Sequence, residues 1–309
     1  MNNGVIRIFV FMEGFINFLK PPGMTSHDAV GLVRRVLHEK HVGHAGTLDP
    51  GAAGVLPIAV GRAARLIEYL DNVSKSYRAE MLLGVETDSG DDTGKVLERV
   101  DSFDMPAVER VEEVFKEFTG TIVQVPPAHS AIKINGRRAC DLIRQGIHVD
   151  IPSRQVEIHS LRLLEKDDGK KTLLFNVDCS KGTYIRSLCQ DMGQALGIPA
   201  TMSFLIRTAV GRFRLADAVS VEELQELGDR ALLSSEEYIG HIRRYDINPK
   251  RRKAFCNGLS SDDRSFVAAS SDSENEILRV YASGEFLGIG HYDKKNKTIV
   301  PDKVLAINS

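Results

Sequence analysis

The densest concentration of chemical possibilities is the segment Gly43-His44-Ala45-Gly46-Thr47-Leu48-Asp49-Pro50-Gly51-Ala52-Ala53-Gly54. Its glycines, alanines and proline leave few side chains to obstruct a ligand, and glycine permits backbone conformations closed to other residues. Only His44, Thr47 and Asp49 carry reactive or hydrogen-bonding side chains there, so something large is expected to approach this loop. Taken alone, an Asp before Pro is more often a turn residue or helix cap than a catalyst. A lone His is more often structural than a proton carrier. In a second segment, Cys179-Ser180-Lys181-Gly182-Thr183-Tyr184-Ile185-Arg186, a strand gives way to a helix. Tyr184 and Arg186 are expected on its first turn, where exposed N–H groups and the helix dipole favour an anionic partner. Arginine there can hold a carboxylate ionised and oriented. A third segment, Ser74-Lys75-Ser76-Tyr77-Arg78, opens a strand. Its tyrosine has the flat face on which a nucleobase stacks, although a half-buried sheet tyrosine is the commoner reading of such a residue.

The elements that must position these groups follow from hydrophobic periodicity. Residues 54–60 read as a strand and Arg62 to Leu70 as a helix. Tyr77 to Val85 and Val96 to Val100 read as strands joined by the acidic loop Glu86 to Gly94, and Val108 to Phe118 has one apolar helical face. Val156 to Leu164 and Thr172 to Asp178 flank Asp167-Asp168-Gly169-Lys170, a hairpin signal. Tyr184 to Leu196 reads as helix, Phe204 to Phe213 as extended chain and Val221 to Leu227 as helix. Mixed strands, helices and hairpins predict an α+β fold around a mixed or antiparallel sheet. Pro126 to Arg154, with the basic turn Ile134 to Arg138, reads as an insertion able to project over a substrate. Beyond His241, a basic helix (Pro249 to Cys256) precedes a strand pair around Ser283-Gly284, enough for a small β-rich module.

The 309 residues suit two domains, divided here as 1–240 and 241–309. Net charge is −2, yet charge is segregated. Residues 86–117 carry 11 acidic and 4 basic side chains, whereas 129–154 and 241–309 each have a net charge of +3. Such blocks are ordinarily solvated faces and gain meaning only beside an anionic partner. Cys140, Cys179, Cys189 and Cys256 form no C-x-x-C pair, which predicts reduced thiols in a cytoplasmic protein. The apolar run Val5 to Leu19 is interrupted by Arg7, Glu13 and Asn17, which supports neither a signal peptide nor a membrane span.

Together, Lys20-Pro21-Pro22-Gly23-Met24-Thr25-Ser26, the Gly43 to Gly54 segment, Ser74 to Tyr77, Val125 to Ala131 with Lys133 and Gly136, and Lys181 to Arg186 resemble, in order and spacing, the tRNA pseudouridine synthase B (TruB) family. The resemblance covers roughly residues 14 to 215. It implies a pseudouridine synthase core, an RNA-binding insertion at 126–154 and a PUA-like RNA-binding tail. It implies isomerisation of the uridine at position 55 in the tRNA T-loop, with Asp49 as the catalytic aspartate, Tyr77 at the target base and Arg186 paired with Asp49. Tyr184 and Leu205 would line the pocket and His44 would contact RNA. Lys20, Thr25 and Ser26 would belong to a supporting segment, Lys20 being counted with the substrate-binding residues. Arg137, Arg138 and Arg144 are expected on the RNA. The scheme requires no metal or organic cofactor, and a monomer binding the T-arm without a protein partner is expected. Alternatives are a guide-RNA-dependent enzyme acting on ribosomal RNA and a noncatalytic tRNA-folding chaperone. The sequence departs from the family pattern at Ala45, usually threonine, and His129, usually tyrosine. Met12 is expected as the initiator.

Overall fold

The computed structural model describes residues 13–70, 73–127, 150–262 and 275–306, with the backbone of 133–134 and 137–138. The expected start at Met12, Cys140, His129, Arg144 and the side chains of Arg137 and Arg138 lie outside the described residues.

The first strands are β1 (Gly14–Lys20), β2 (Val42–His44), β3 (Ala53–Val60), β4 (Lys75–Leu83), β5 (Val85–Thr87) and β6 (Val96–Arg99). There follow β7 (Gly120–Gln124), the short pair β8 (Lys133–Ile134) and β9 (Arg137–Arg138), β10 (Arg154–Asp167), β11 (Thr172–Cys179), β12 (Ala200–Val210) and β13 (Phe213–Arg214). The principal sheet runs β1-β3-β12-β4-β11-β10-β7, with β2 and β13 attached to β3 and β12. All its pairings are antiparallel except β12 with β3, which touch in parallel over only Ile206–Ala53 and Arg207–Gly54. The sheet is therefore weakly joined at its middle, and that seam opens beside the end of the 43–54 segment.

Period-two alternation explains why nearly every residue of β3 is buried. Val55 and Ala59 face one cluster while Leu56, Ile58 and Val60 face another, so both faces are covered. On one face lies α1 (Ser26–Leu37), whose Val30, Val33 and Leu37 pack on Ile16 and Phe18 of β1. Thr25 caps this helix, exchanging hydrogen bonds with Asp28 in a capping box. After the short α2 (Ile67–Leu70) come α3 (Val108–Glu117) and α4 (Ile185–Leu196), which cover the other half of the sheet through Val111, Val114, Leu188 and Met192 against Ala79, Met81 and Phe175.

Several elements differ from the expectation. Arg62 to Leu70 is a 3-10 turn over Gly61–Leu66 that passes into α2, because its buried Ala63 and Leu66 are three residues apart. The strand expected over 77–85 breaks at Gly84, whose φ is +87°. The acidic stretch is a β5–β6 hairpin rather than a plain loop. Strand β1 had no counterpart in the sequence reading.

A second sheet, of order β14-β16-β17-β18-β15, comprises β14 (Arg243–Asp246), β15 (Ser261–Asp262), β16 (Asn275–Ala282), β17 (Glu285–Asp293) and β18 (Thr298–Val304). Its β16–β17 turn falls at Ser283-Gly284, both at positive φ. Ile289 and Leu305 join Phe15, Val55 and Phe213 in one cluster, so the two sheets share a core. The Arg65 guanidinium donates to Val304 O (2.8 Å), and Lys303 pairs with Glu68 (2.8 Å).

Candidate active site

The 43–54 segment joins β2 to β3 and ends at the seam between β3 and β12, held from below. The Ser26 hydroxyl accepts from Leu48 N (2.9 Å) and donates to Leu48 O (3.0 Å), while Gly23 N donates to Pro50 O (2.8 Å). Lys20 is fully buried, its Nζ donating to Pro21 O (2.9 Å), Met24 O (2.7 Å) and Pro50 O (3.3 Å). Residues 20–26 thus grip the chain on both sides of Asp49. Lys20 therefore supports the loop from within the fold. Its charge is costly in this position. Burial lowers its pKa to about 8; Asp49 opposes that shift and Arg207 adds to it.

Asp49 faces a cavity of about 320 Å³, at the small end of ligand pockets. Arg186 Nε lies 3.1 Å from Asp49 Oδ2, and its guanidinium is buried, whereas the Asp49 side chain is 41% exposed. Arg186 sits on α4, but Tyr184 is the residue that caps this helix and not part of its first turn. The Gln124 side chain fixes the Tyr184 backbone, accepting from its N–H (2.8 Å) and donating to its carbonyl (3.0 Å). The Arg154 guanidinium lies 4.8 Å from the Tyr184 ring centroid.

Four residues of the site were not singled out in the sequence. Asp91, from the β5–β6 hairpin, approaches Arg186 Nη1 at 3.5 Å, and the same nitrogen donates to Ser89 O (3.0 Å). Arg186 is thus held between two carboxylates. Arg207 is buried beneath the loop, donating to Val55 O (2.8 Å), Thr47 O (3.3 Å) and Gly46 O (3.0 Å). Arg154 and Lys75 complete the cavity wall. Asp91 lay in an acidic run whose charge count concealed which member turned inward, Lys75 lay beside Tyr77 and Arg154 closed the basic insertion, but only spatial neighbours give these residues a role.

Tyr77, Tyr184 and Leu205 line the same cavity as Asp49 and Arg186. Tyr77 is buried and hydrogen-bonded to Arg207; burial pushes its phenol above the ordinary value, while the guanidinium pulls it back. His44 is on β2, opposite Ile58, and does not line this cavity. Ala45 is buried, its N–H donating to Pro57 O (2.9 Å). Among the described residues no cluster of His, Cys, Asp and Glu suits a metal ion, and no helix is long and apolar enough to cross a membrane.

The fold is that of the pseudouridylate synthases. The family model described as TruB family pseudouridylate synthase (N terminal domain) matches residues 34–185, and the tRNA pseudouridylate synthase B C-terminal domain matches 186–242. The chain is 42% identical over 295 residues to the tRNA pseudouridine synthase B of Clostridioides difficile (strain 630), covering 93% of this chain and 97% of that one. It is 42% identical over 303 residues to that of Moorella thermoacetica, covering 94% and 99%. The chain belongs to the TruB family of tRNA pseudouridine synthases, which are isomerases. Among solved structures it resembles a chain of a Cbf5-Nop10-Gar1 complex (TM-score 0.71, 26% identity, 96% of this chain and 85% of that one). A chain of an H/ACA RNP bound to a substrate RNA containing 2'-deoxyuridine shares the fold (TM-score 0.71, 24% identity, 96% and 86%).

Proposed function

We propose that the chain is a stand-alone enzyme converting the uridine at position 55 of the tRNA T-loop into pseudouridine, with Asp49 as the catalytic carboxylate. The observation that carries this reading is the Asp49–Arg186 pair at 3.1 Å, facing a cavity in whose wall the described residues place no second carboxylate. A glycosidase generally uses two carboxylates, one to protonate a departing oxygen. Uracil departs as a stabilised anion, so one carboxylate suffices to break the N1–C1′ bond. Asp49 attacks C1′ or removes a ribose proton to give a glycal. The freed uracil rotates, C5 bonds to C1′, and the C5 proton passes to Tyr77 or to Asp49. Arg186 pairs with Asp49 and aims it, and Asp91 holds Arg186 from the opposite side.

The uridine must be flipped from its loop, at a cost of a few kcal/mol. Tyr77, Tyr184 and Leu205 offer the ring faces and apolar wall that offset this cost. The proposal assigns residues 1–240 to catalysis, 241–309 to a PUA-like RNA-binding domain and the basic insertion 126–154, with Arg137, Arg138 and Arg144, to the T-arm. It includes an RNA contact for His44, and a monomer working in the cytoplasm without metal, organic cofactor or protein partner. Identity of about 40% to enzymes named for tRNA, along nearly their whole length, favours this reading over a guided enzyme or a chaperone.

Release of tritium from C5-labelled uridine in a T-arm stem-loop by the purified chain tests the reading. Wild type is expected to release label and Asp49→Asn none, with RNA binding retained. Tight binding without release by either protein would move the case to the guided enzyme or the chaperone.

A further inference from the structure

Arg207 has a place in the fold that loop support alone does not explain. Its register partners are Tyr77 on β4 and Gly54 on β3, so it stands where the two halves of the sheet meet. It is 1% exposed, and no carboxylate lies within ion-pair distance among the described residues. Its donors go to the carbonyls of Gly46, Thr47 and Val55 and to the Tyr77 hydroxyl. A buried cation with no carboxylate bonded to it is costly, and neutral carbonyls do not cancel it. An anion formed transiently beside it would.

We propose that Arg207 is a positioning residue: it holds the Tyr77 oxygen ready to take the C5 proton and balances the charge of the phenolate that does so. This rests on the reading of the site as a pseudouridine synthase with Tyr77 as the base. Once C5 has joined C1′, the C5–H bond breaks. The proton goes to the Tyr77 oxygen and the electron pair closes the C5=C6 double bond, while N1 takes a proton from solvent. The Tyr77 phenol yields its proton to solvent before this step, so that the phenolate takes the C5 proton and the resting phenol is restored. Burial makes the phenolate hard to form, and the adjacent guanidinium is the group that opposes this.

The test is the single-turnover rate of Arg207→Lys on T-arm stem-loops bearing hydrogen or deuterium at C5 of the target uridine. The rate is expected to fall about 10²-fold, the order that one well-placed proton-transfer arrangement contributes. RNA affinity should be unchanged and the deuterium effect larger than in wild type, because proton removal becomes limiting. Arg186→Lys, acting through Asp49, should slow the reaction without enlarging that effect. A slower Arg207→Lys with an unenlarged deuterium effect would reduce Arg207 to a loop clamp and overturn the proposal. Should that variant fail to fold, Tyr77→3-fluorotyrosine in the otherwise intact chain decides. Its more acidic phenol should move the acid limb of the pH–rate profile to lower pH, and an unmoved limb refutes the assignment. Absence of turnover by the wild type would instead bring down the underlying reading.

Discussion

Lys20 stands in the unfolded chain near its ordinary pKa of 10.5 and in the native protein near 8. Between those values the unfolded state binds more protons, so this residue's contribution to stability rises with pH across that window, and its burial cost is present in full below about pH 8. The gap in urea-unfolding free energy between wild type and Lys20→Met should move in favour of wild type from pH 8 towards 10, by up to about 1.4 kcal/mol per pH unit. A gap independent of pH would show that Lys20 keeps its ordinary pKa. At this scale the sequence was legible where a residue sits inside a dense motif, as Asp49 and Arg186 do. Asp91 was hidden among ten other acids in a stretch that reads as a solvated face. Arg207 was hidden by distance, since its bond to Val55 O spans 152 residues. Nothing local marks either one.

The seam between β3 and β12 depends on the absence of a side chain at one position. Gly54 has a φ of +115°, and a Cβ there would lie 2.2 Å from Arg207 O and 2.6 Å from Arg207 N. Backbone on both sides cannot yield as a flexible side chain would. Gly54→Ala is therefore expected to lower the unfolding free energy by about 3 kcal/mol or more, adding left-handed strain to a backbone clash. Urea titration measures it, and a loss near that of an ordinary surface substitution would mean that the seam is looser than described. Elements were readable where pattern and turn chemistry agreed, as in the β10–β11 hairpin around Asp167 to Lys170 and the β16–β17 turn at Ser283-Gly284. β1 was missed because its residues lie in an apolar run weighed only as an export or membrane segment. Its faces become distinct only when Phe15 meets the tail and Ile16 and Phe18 meet α1.

At the scale of the whole molecule, a net charge of −2 conceals the basic insertion and tail. Replacing Arg137, Arg138 and Arg144 together by glutamine should weaken T-arm binding and flatten the log–log dependence of affinity on salt by about 1 to 3 units, as fewer counterions are displaced. An unchanged slope would take these arginines off the RNA. The shared core of the two sheets was not legible, because Ile289 and Leu305 look like ordinary interior residues of a separate module. Long-range closure also has a consequence for how the protein is made. The loop bearing Asp49 emerges from the ribosome early, yet its guanidinium brace at residue 207 is translated some 150 residues later. At about 5 to 20 residues per second that is a wait on the order of ten seconds. For that interval the nascent chain carries the carboxylate without the support that shapes it, so the site becomes competent late in synthesis, only as the second half of the sheet is delivered.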